Sequence, residues 1–311
     1  MTIKKLGSGP ASIICKQFTT NSAYFDNTYV SQAAWLPFNF AIFIIQDNYQ
    51  ENSADGFWFQ FRLQLNRKRT DYDNANLLQI YDINNNLVCS INDAGNDTLA
   101  TLRIYNDTGS ATSSSFYIVP TDTTGSHNLC TVHVYTEGGN TIADFFVNTV
   151  LIKSVSTAGT NRGFNRAIVY HIAAYDYCYQ TVAEWILADE PTFEMRVGQL
   201  NYDSAGTETD WGTLPATNTN IGDIGTFNYT VNGNPVLNNV AAVCMNVLGG
   251  ADGDDIQAVI RKGGVNYASA DLNATFHSQS LTAVWEDDPS GGSFGTINEL
   301  AALEFGIKHV A

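Results

Sequence analysis

Two groups of carboxylates beside prolines come closest to a catalytic pattern in this chain. One is Asp189–Glu190 with Glu194, and the other is Glu286–Asp287–Asp288. Glycoside hydrolysis needs two carboxylates that face each other across a cleft, roughly 5–10 Å apart. A strand with the spacing Glu-x-Asp-x-x-Glu would place its first two carboxylates on one face, and the sequence has no such string. We therefore interpret both groups as solvated loop charges and predict no catalytic residue.

The spacing of potential metal ligands gives only a weak indication of a metal site throughout the sequence. The histidines show no i, i+2 or i, i+4 pairing with one another or with cysteine, as zinc sites do. They are His127, His133, His171, His277 and His309. Calcium stays open as an alternative, because carboxylate and amide oxygens are its ligands. The two loops that cluster such oxygens are Asp252–Asp255 and the set Asp71, Asp73, Asn74 and Asn76. Neither has the order of an EF-hand loop, so we predict no metal and no cofactor.

Nucleophilic catalysis is not predicted either. Cys130 and His133 lie near each other in the sequence, but residues three apart on a strand point to opposite faces. The cysteines are odd in number and widely spaced, which indicates buried free thiols and synthesis in a reducing cytoplasm. They are Cys15, Cys89, Cys130, Cys178 and Cys244.

The overall charge excludes several classes of partner. The 311 residues include 31 acidic and 15 basic side chains, a net charge of −16. Such a field repels phosphate backbones, so we predict no nucleic-acid partner. The basic cluster Arg67–Lys68–Arg69 is interpreted as a hairpin tip or a subunit contact. The apolar run Phe40–Ile45 has six residues, far fewer than the ~20 that cross a bilayer. We therefore predict no membrane insertion, and no signal peptide.

Period-two alternation dominates the first 190 residues and predicts a sheet protein. Phe57, Phe59 and Phe61 fall on one face of a strand, and Gln60 and Arg62 fall on the other. The other predicted strands are Phe38–Ile45, Leu77–Tyr81, Leu87–Ile91, Leu129–Tyr135, Thr141–Val147, Val150–Ile152, Ala167–Ala173 and Thr181–Ala188. Asn- and Gly-rich turns separate several of them, at 82–86, 137–140 and 148–149. Many strands joined by such turns predict a sandwich or jelly roll.

A domain boundary is predicted near Pro191, which divides the chain into residues 1–192 and 193–311. The second part begins with a short strand, Met195–Leu200, and a polar stretch, Tyr202–Asn220. Its further predicted strands are Val240–Leu248, Ile256–Arg261, Ser280–Trp285 and Ile307–Val310. The pair Thr296 and Glu299 has capping-box spacing and predicts one short helix, Ile297–Leu303, which Gly306 would end. This part is therefore predicted to be a small β module.

Two stretches resemble structural proteins of tailed bacteriophages. The first is VAEWILADEPT at 182–192, followed by Met195–Val197; the second begins with Trp285–Pro289 and continues through Phe294 to 297–308. In that family a concanavalin A-like, laminin-G-like jelly roll closes on a strand of the first kind, and a small β module ends in the second. The chain departs from the family at 293–296, where Ser-Phe-Gly-Thr replaces an aromatic–Thr pair. The resemblance covers roughly residues 10–311 and implies the same all-β architecture.

The resemblance implies a virion component, such as a tail or tail-fibre protein, that acts through passive contacts and is not an enzyme. Its expected partners are copies of itself, with a homotrimer as one form, and other virion proteins. A lectin-like module that binds host glycans is the first alternative, and a head decoration or head-fibre protein is the second. A glycan depolymerase is a further rival, tested at Glu184 and Glu286.

Three aromatic or acidic features are interpreted on the residues themselves. Glu184 shares a strand face with Val182 and Ile186 and is expected to be a paired, fold-stabilising carboxylate. Trp285 is expected to cover the edge of the module core. A group of tyrosines is interpreted as sheet packing, with a partner surface as the alternative; its members are Tyr170, Tyr175, Tyr177 and Tyr179.

Overall fold

The chain forms two compact units, Met1–Val197 and Gly198–Ala311. The computed structural model describes residues 3–8, 14–15, 41–46, 56–65, 76–94, 99–117, 127–171, 180–192, 195, 199–211, 220–232, 240–248, 255–273 and 280–310. The structure in these ranges is almost entirely antiparallel strand.

Two sheets make up the described part of the first unit. Its strands are β1 (Ile3–Ser8), β2 (Ile14–Cys15), β3 (Ala41–Gln46), β4 (Phe57–Leu65), β5 (Asn76–Tyr81), β6 (Leu87–Asp93), β7 (Leu99–Asn106), β8 (Gly109–Thr112), β9 (Phe116–Tyr117), β10 (His127–Glu137), β11 (Asn140–Val147), β12 (Val150–Ala158), β13 (Arg166–His171) and β14 (Gln180–Ala188). Sheet A has the order β1-β14-β4-β10-β11-β12. Sheet B has the order β2-β3-β13-β5-β6-β7-β8, and β9 also pairs with β7.

One continuous apolar core joins the inner faces of the two sheets. Sheet A contributes Phe57, Phe59 and Phe61 from β4, and sheet B contributes the inward residues of β5, β6 and β7. The side chains of β7 alternate between buried and half-buried along its whole length. These observations confirm the predicted all-β sandwich, because alternate side chains of each strand are removed from water by the opposite sheet.

The predicted hairpin turns are present where the sequence places them. Asn85 has φ 66°, and Asn148 and Thr149 have φ 48° and 71°. Gly138 and Gly139 have φ 56° and 77° at the turn between β10 and β11. Asn and Gly tolerate this left-handed region, and two-residue hairpin loops require it to match the twist of their strands.

The described part of the second unit contains two further sheets and one helix. Its elements are β15 (Gln199–Thr209), β16 (Ile224–Asn232), β17 (Val243–Leu248), β18 (Asp255–Lys262), β19 (Val265–Ala268), β20 (Leu272–Asn273), β21 (Ser280–Trp285), α1 (Ile297–Leu300) and β22 (Glu304–His309). The larger sheet has the order β15-β16-β22-β18-β19, and β20 also pairs with β18. β17 and β21 pair separately. Apolar residues from both sheets and from α1 form the core clusters of this unit.

The predicted capping box is confirmed. The Thr296 side chain accepts from the Glu299 N–H, and the Glu299 carboxylate accepts from the Thr296 N–H at 2.6 Å. The helix is shorter than predicted and ends at Leu300. Gly306 does not end it; a Cβ there would lie 2.1 Å from the Gly225 carbonyl oxygen, so this glycine serves the close approach of β22 to β16.

Several strands differ from the sequence predictions. β7 and β16 were not predicted, and the polar stretch from Tyr202 is strand as far as Thr209. The strand predicted at Met195–Leu200 was wrong at its start, because Met195 lies outside any strand and β15 begins at Gln199. β15 is rich in Asp, Ser and Thr because most of its described side chains face solvent, and solvent-facing strands lack the apolar alternation used to find them.

Two findings complete the description of the fold. No helix within the described ranges is long and apolar enough to cross a bilayer. Cys89 and Cys130 are buried and are not joined in a disulfide, as predicted for packed thiols. Burial raises the pKa of the Cys89 thiol to about 12, so it stays protonated and unreactive.

Candidate functional site

The outer face of sheet A, which points away from the core, carries a group of aromatic and acidic side chains. All its members are half-buried. We call them the outer-face cluster: Trp58 of β4, His133 and Tyr135 of β10, and Asp144 and Phe146 of β11. Their neighbours Phe57, Phe59 and Val134 point into the core. The cluster therefore stands on a rigid base, because each member alternates with an inward anchor on the same strand.

Strand register places the cluster side by side. Trp58 lies opposite His133, and His133 lies opposite Asp144, so the three form one row across three strands. Gly56 allows β4 to begin tightly against β10: it has φ 78°, and a Cβ there would lie 1.9 Å from the Val134 carbonyl oxygen. A larger residue would push the start of β4 away and open the row.

Three rings of the cluster are stacked. The Trp58 and His133 ring centroids are 3.8 Å apart at an interplanar angle of 9°, and those of His133 and Tyr135 are 4.3 Å apart at 11°. The Phe146 ring lies 5.7 Å from Trp58 at a tilt of 35°. Stacked and tilted pairs are favourable arrangements of aromatic quadrupoles. The cluster thus forms an ordered ridge of rings rather than a set of mobile side chains.

Asp144 gives the ridge its acceptor. Its Oδ2 atom accepts a hydrogen bond from the Tyr135 hydroxyl at 3.3 Å. The pKa of Tyr135 is raised first by burial, then by the charge and hydrogen bond of Asp144 and by the Glu137 charge. The phenol therefore stays protonated and acts as a donor. A carboxylate beside stacked rings can accept hydrogen bonds from a hydroxyl-rich ligand.

The segment after β14 covers the outer face next to the cluster. The Thr192 hydroxyl donates to Gln60 Oε1 at 2.9 Å, and Gln60 Nε2 donates to the Met195 carbonyl at 3.3 Å. Thr192 and Gln60 are both buried, although Gln60 points away from the core. Thr192, the last residue of the stretch VAEWILADEPT, therefore has a structural role. It hydrogen-bonds the buried Gln60 amide, which would cost free energy if it were buried without a partner.

An ion pair with a buried carboxylate lies in the second unit, at one of the predicted loop charges. Asp288 is 7% exposed and accepts from the Lys262 ammonium and from the N–H and hydroxyl of Ser290. The prediction of solvated charges was wrong for Asp288 and holds for Glu286 and Asp287, which are exposed. Burial alone would raise the pKa of Asp288, but the hydrogen bonds from Lys262 and Ser290 and the Lys262 charge lower it below its ordinary value.

A second polar group crosses the larger sheet of this unit. Arg261 pairs with Glu208 at 2.7 Å and lies 3.8 Å from Glu304. Glu304 also accepts from the Thr207 N–H and hydroxyl and from the Thr226 hydroxyl. Burial acts to raise the pKa of Glu304, but these hydrogen bonds and the Arg261 charge lower it. Every one of these groups is satisfied within the unit, so this group is structural and not a site waiting for a ligand.

The two lowered carboxyl pKa values predict how the second unit responds to acid. A carboxyl whose pKa is lower in the folded state contributes stability above its ordinary value, 3.8 for Asp288 and 4.5 for Glu304, and loses it as pH falls through the folded value. We expect the unfolding temperature to fall steeply below about pH 4. Thermal unfolding followed from about pH 6 to about pH 2 measures this.

Glu304→Gln is the matched variant for the acid experiment. It should unfold at a lower temperature than the wild type at pH 6, because the charge that accepts from Thr207 and Thr226 and lies near Arg261 is lost, and the two curves should converge in acid. Parallel curves across the whole range would contradict the assignment.

A Gly-x-Ser-x-Gly string occurs at Gly291–Gly295, a spacing that nucleophile elbows use. Here it lies in a turn: the Asp288 N–H donates to the Gly292 carbonyl, and the Gly291 N–H donates to the Asp288 carbonyl. Gly291 and Gly292 have φ 109° and 86°. Ser293 is exposed in the loop between β21 and α1, and it does not lie on the tight turn from a strand of an α/β sheet into a helix that makes such a serine a nucleophile.

The other residues named from the sequence fall into two groups. Trp285 packs against the core of the second unit, as expected, and Cys130 and His133 point to opposite faces of β10. The remaining side chains lie outside the described residues: Asp71, Asp73, Asn74, Asn76, Asp252, Asp254, Arg67, Lys68, Arg69, Tyr170, Tyr175, Tyr177, Tyr179, Glu184 and Glu194. Calcium binding at either of the two loops therefore stays an alternative that rests on the sequence. Within the described ranges, no three His, Cys, Asp or Glu side chains gather as a metal-binding group.

The outer-face cluster was not predicted, although one signal pointed to it. Trp58 stands on the polar face of β4, between residues that alternate strictly. An indole on the face that carries Gln60 has no core to enter. Reading β10 and β11 the same way would have placed His133, Tyr135, Asp144 and Phe146 on outward positions, but only strand pairing shows that these positions adjoin Trp58.

No protein-family model and no curated protein sequence matches the chain. Comparison with solved structures gives low-scoring matches. A galectin of Caenorhabditis elegans, LEC-6, has a TM-score of 0.32 and 12% identity over 50% of this chain and 95% of its own. A legume lectin-like domain from Entamoeba histolytica has a TM-score of 0.34 and 9% identity over 51% of this chain and 88% of its own.

The binding domain of botulinum neurotoxin serotype D spans more of the chain. Its TM-score is 0.40 with 8% identity, over 91% of this chain and 74% of its own. All three scores are low, so these likenesses carry no functional argument for this protein. The all-β sandwich stands on the strand pairing and the shared core described above.

Proposed function

We propose that the first unit is a carbohydrate-binding, lectin-like module and that it binds glycans on the outer face of sheet A. The observation that carries this proposal is the outer-face cluster, in which stacked rings and one carboxylate stand side by side on a rigid sheet. Binding sites combine apolar and aromatic surface with a few placed polar groups, which is the composition found here.

The chemistry of a sugar fits this composition. A pyranose has one apolar face of C–H groups, which packs against aromatic rings such as Trp58 and Phe146. Its hydroxyls donate to carboxylates, and Asp144 supplies that acceptor beside the rings. The net charge of −16 disfavours acidic sugars, because like charges repel across a binding face. The ligand class is therefore a neutral glycan.

We further propose binding without catalysis. Hydrolysis of a glycosidic bond needs an acid and a second carboxylate, set roughly 5–10 Å apart. Asp144 is the single carboxylate of the outer-face cluster. One carboxylate can orient a sugar, but it cannot serve as both acid and nucleophile or base.

A glycan array with the purified full chain tests the proposal. We expect binding to neutral oligosaccharides and weaker or no signal for sialylated and sulfated ones. Asp144→Asn is the matched variant, because it keeps the side-chain shape and removes the charge that strengthens hydroxyl donation; its signal should fall about ten-fold. The absence of any bound glycan at the highest soluble concentration would remove the proposal.

The phage resemblance supports a second candidate, a structural component of a tailed-phage virion. Its support is that residues of both motifs have structural roles here: Thr192 satisfies buried Gln60, and Leu300 and Phe305 lie in the core of the second unit. Glycan binding and virion assembly are compatible, since a tail protein that binds a surface glycan would attach the particle to its host. We expect the flanking genes to encode tail, portal or capsid proteins; metabolic or secretory neighbours would count against this candidate.

A further inference from the structure

One side of the first unit presents the edges of both sheets. β12 is the last strand of sheet A, and β8 and β9 follow one another along the end of sheet B. Lys153 of β12 donates to the Ser114 hydroxyl at 2.6 Å, and the Asn106 side chain donates to the Ala158 carbonyl at 2.7 Å. These contacts hold the two edges beside each other. We call residues 109–117 and 150–158 the edge strip.

The edge strip exposes apolar side chains at one end. Val150, Leu151 and Tyr117 are 60%, 51% and 60% exposed. The contacts of Ser114 with Lys153 and of Asn106 with Ala158 show that the two segments run in opposite directions. Tyr117 therefore comes to the same end as Val150 and Leu151. In the described part of the first unit, Ile83 is the one other large apolar residue with comparable exposure.

The edge strip is also nearly uncharged. Lys153 is its single charged residue, in a chain with a net charge of −16. The Lys153 side chain points toward sheet B and reaches Ser114. It therefore does not hinder pairing of another strand with this edge, as outward-pointing lysines do. β12 has a register irregularity between Leu151 and Lys153, and Lys153–Ala158 follows it as a regular edge. Acidic surfaces on two copies of the chain repel each other. The edge strip has no acidic residue, so two copies can approach there without this repulsion.

We propose that two copies of this chain pair antiparallel along β12, around a twofold axis near Val155. A strand paired with itself in this way is self-complementary, as a twofold interface requires. In this register Val155 faces its counterpart, and the two Lys153 side chains lie at opposite ends. Among the described residues no strand pairs with the outer edge of β12. An edge strand is a template for another strand, so the second copy would supply that pairing.

The dimer would extend sheet A across both copies. The outer-face clusters of the two copies would then lie on one continuous sheet face. This consequence rests on the proposed function, whereas the dimer itself does not. Loss of the dimer and loss of glycan binding are separate measurements.

Sedimentation equilibrium of the full chain at rising concentration tests the dimer. We expect a species of twice the 33.9 kDa of one chain. The variants Ser154→Lys and Ser156→Lys add charge to exposed positions of the strip that face each other beside the axis, so each should weaken the dimer at least about ten-fold, because the two introduced charges then lie close together. Ile221→Lys, at a 72% exposed position of the second unit, is the control and should leave the dimer unchanged.

Circular dichroism on each variant confirms that the fold is kept. A chain that stays monomeric at every concentration overturns the proposal. So does an oligomer of any size that both strip variants leave intact.

Discussion

Replacing Trp58 with alanine should weaken glycan binding by about 2 kcal/mol, roughly thirty-fold, if the outer-face cluster binds sugar. Trp58 supplies the largest ring of the cluster and stacks on His133 at 3.8 Å. Its loss removes a packing surface for the sugar and a support for the imidazole. Isothermal titration with the best ligand from the array measures the effect.

Tyr105→Ala is the matched control for the Trp58 variant. Tyr105 is a half-buried aromatic residue on β7, and it points to the outer face of sheet B. The Tyr105→Ala variant loses a ring that is also half-buried, but from the opposite side of the sandwich. Its affinity for the glycan should therefore equal that of the wild type. Equal losses in both variants would show a general effect on the fold, and no loss in Trp58→Ala would place binding elsewhere.

Phe59→Ala should lower the free energy of unfolding of the first unit by about 3–5 kcal/mol. Phe59 is fully buried on β4 and packs near Phe61 and Phe164, with ring centroids 5.5 and 5.7 Å away. Truncation removes a large apolar side chain and leaves a cavity that two paired sheets cannot close. Denaturant unfolding followed by circular dichroism measures the loss.

Ile83→Ala is the control for the core variant. Ile83 is 41% exposed in the turn between β5 and β6, so its truncation should change stability by less than about 0.5 kcal/mol. A loss below about 1 kcal/mol for Phe59→Ala would mean that the inner face of β4 is not the centre of the core. Trp58 and Phe59 are sequence neighbours, and we expect one to act on binding and the other on stability because their side chains point to opposite faces.

The side-chain pattern of the sequence was enough to predict the sandwich. Alternation in β4, β10 and β11 assigned the inward faces correctly, because burial by an opposing sheet selects for apolar residues at every second position. The turns and the capping box were also predictable, since left-handed backbone and orphan helix N–H groups demand particular residue types. These are local requirements, and they act within a few residues.

Strands without a clear local side-chain pattern were not predicted from the sequence. β15 and β16 carry many polar residues on exposed positions, so their alternation is weak, although their backbones pair with each other and β16 pairs with β22. Asp288 was misjudged for a related reason. A run of carboxylates beside a proline is usually solvated, and only the fold brings Lys262 close enough to pair with it.

The amino-acid sequence alone determined the strand faces, the turns and the class of the fold, because each depends on neighbours along the chain. The tertiary structure decided which outward side chains meet. Trp58, His133 and Asp144 come from three strands and lie up to 86 positions apart in the sequence, and the hydrogen-bond register between those strands sets their row. A one-residue slip in either pairing would turn the cluster into the core, and no local pattern encodes that register.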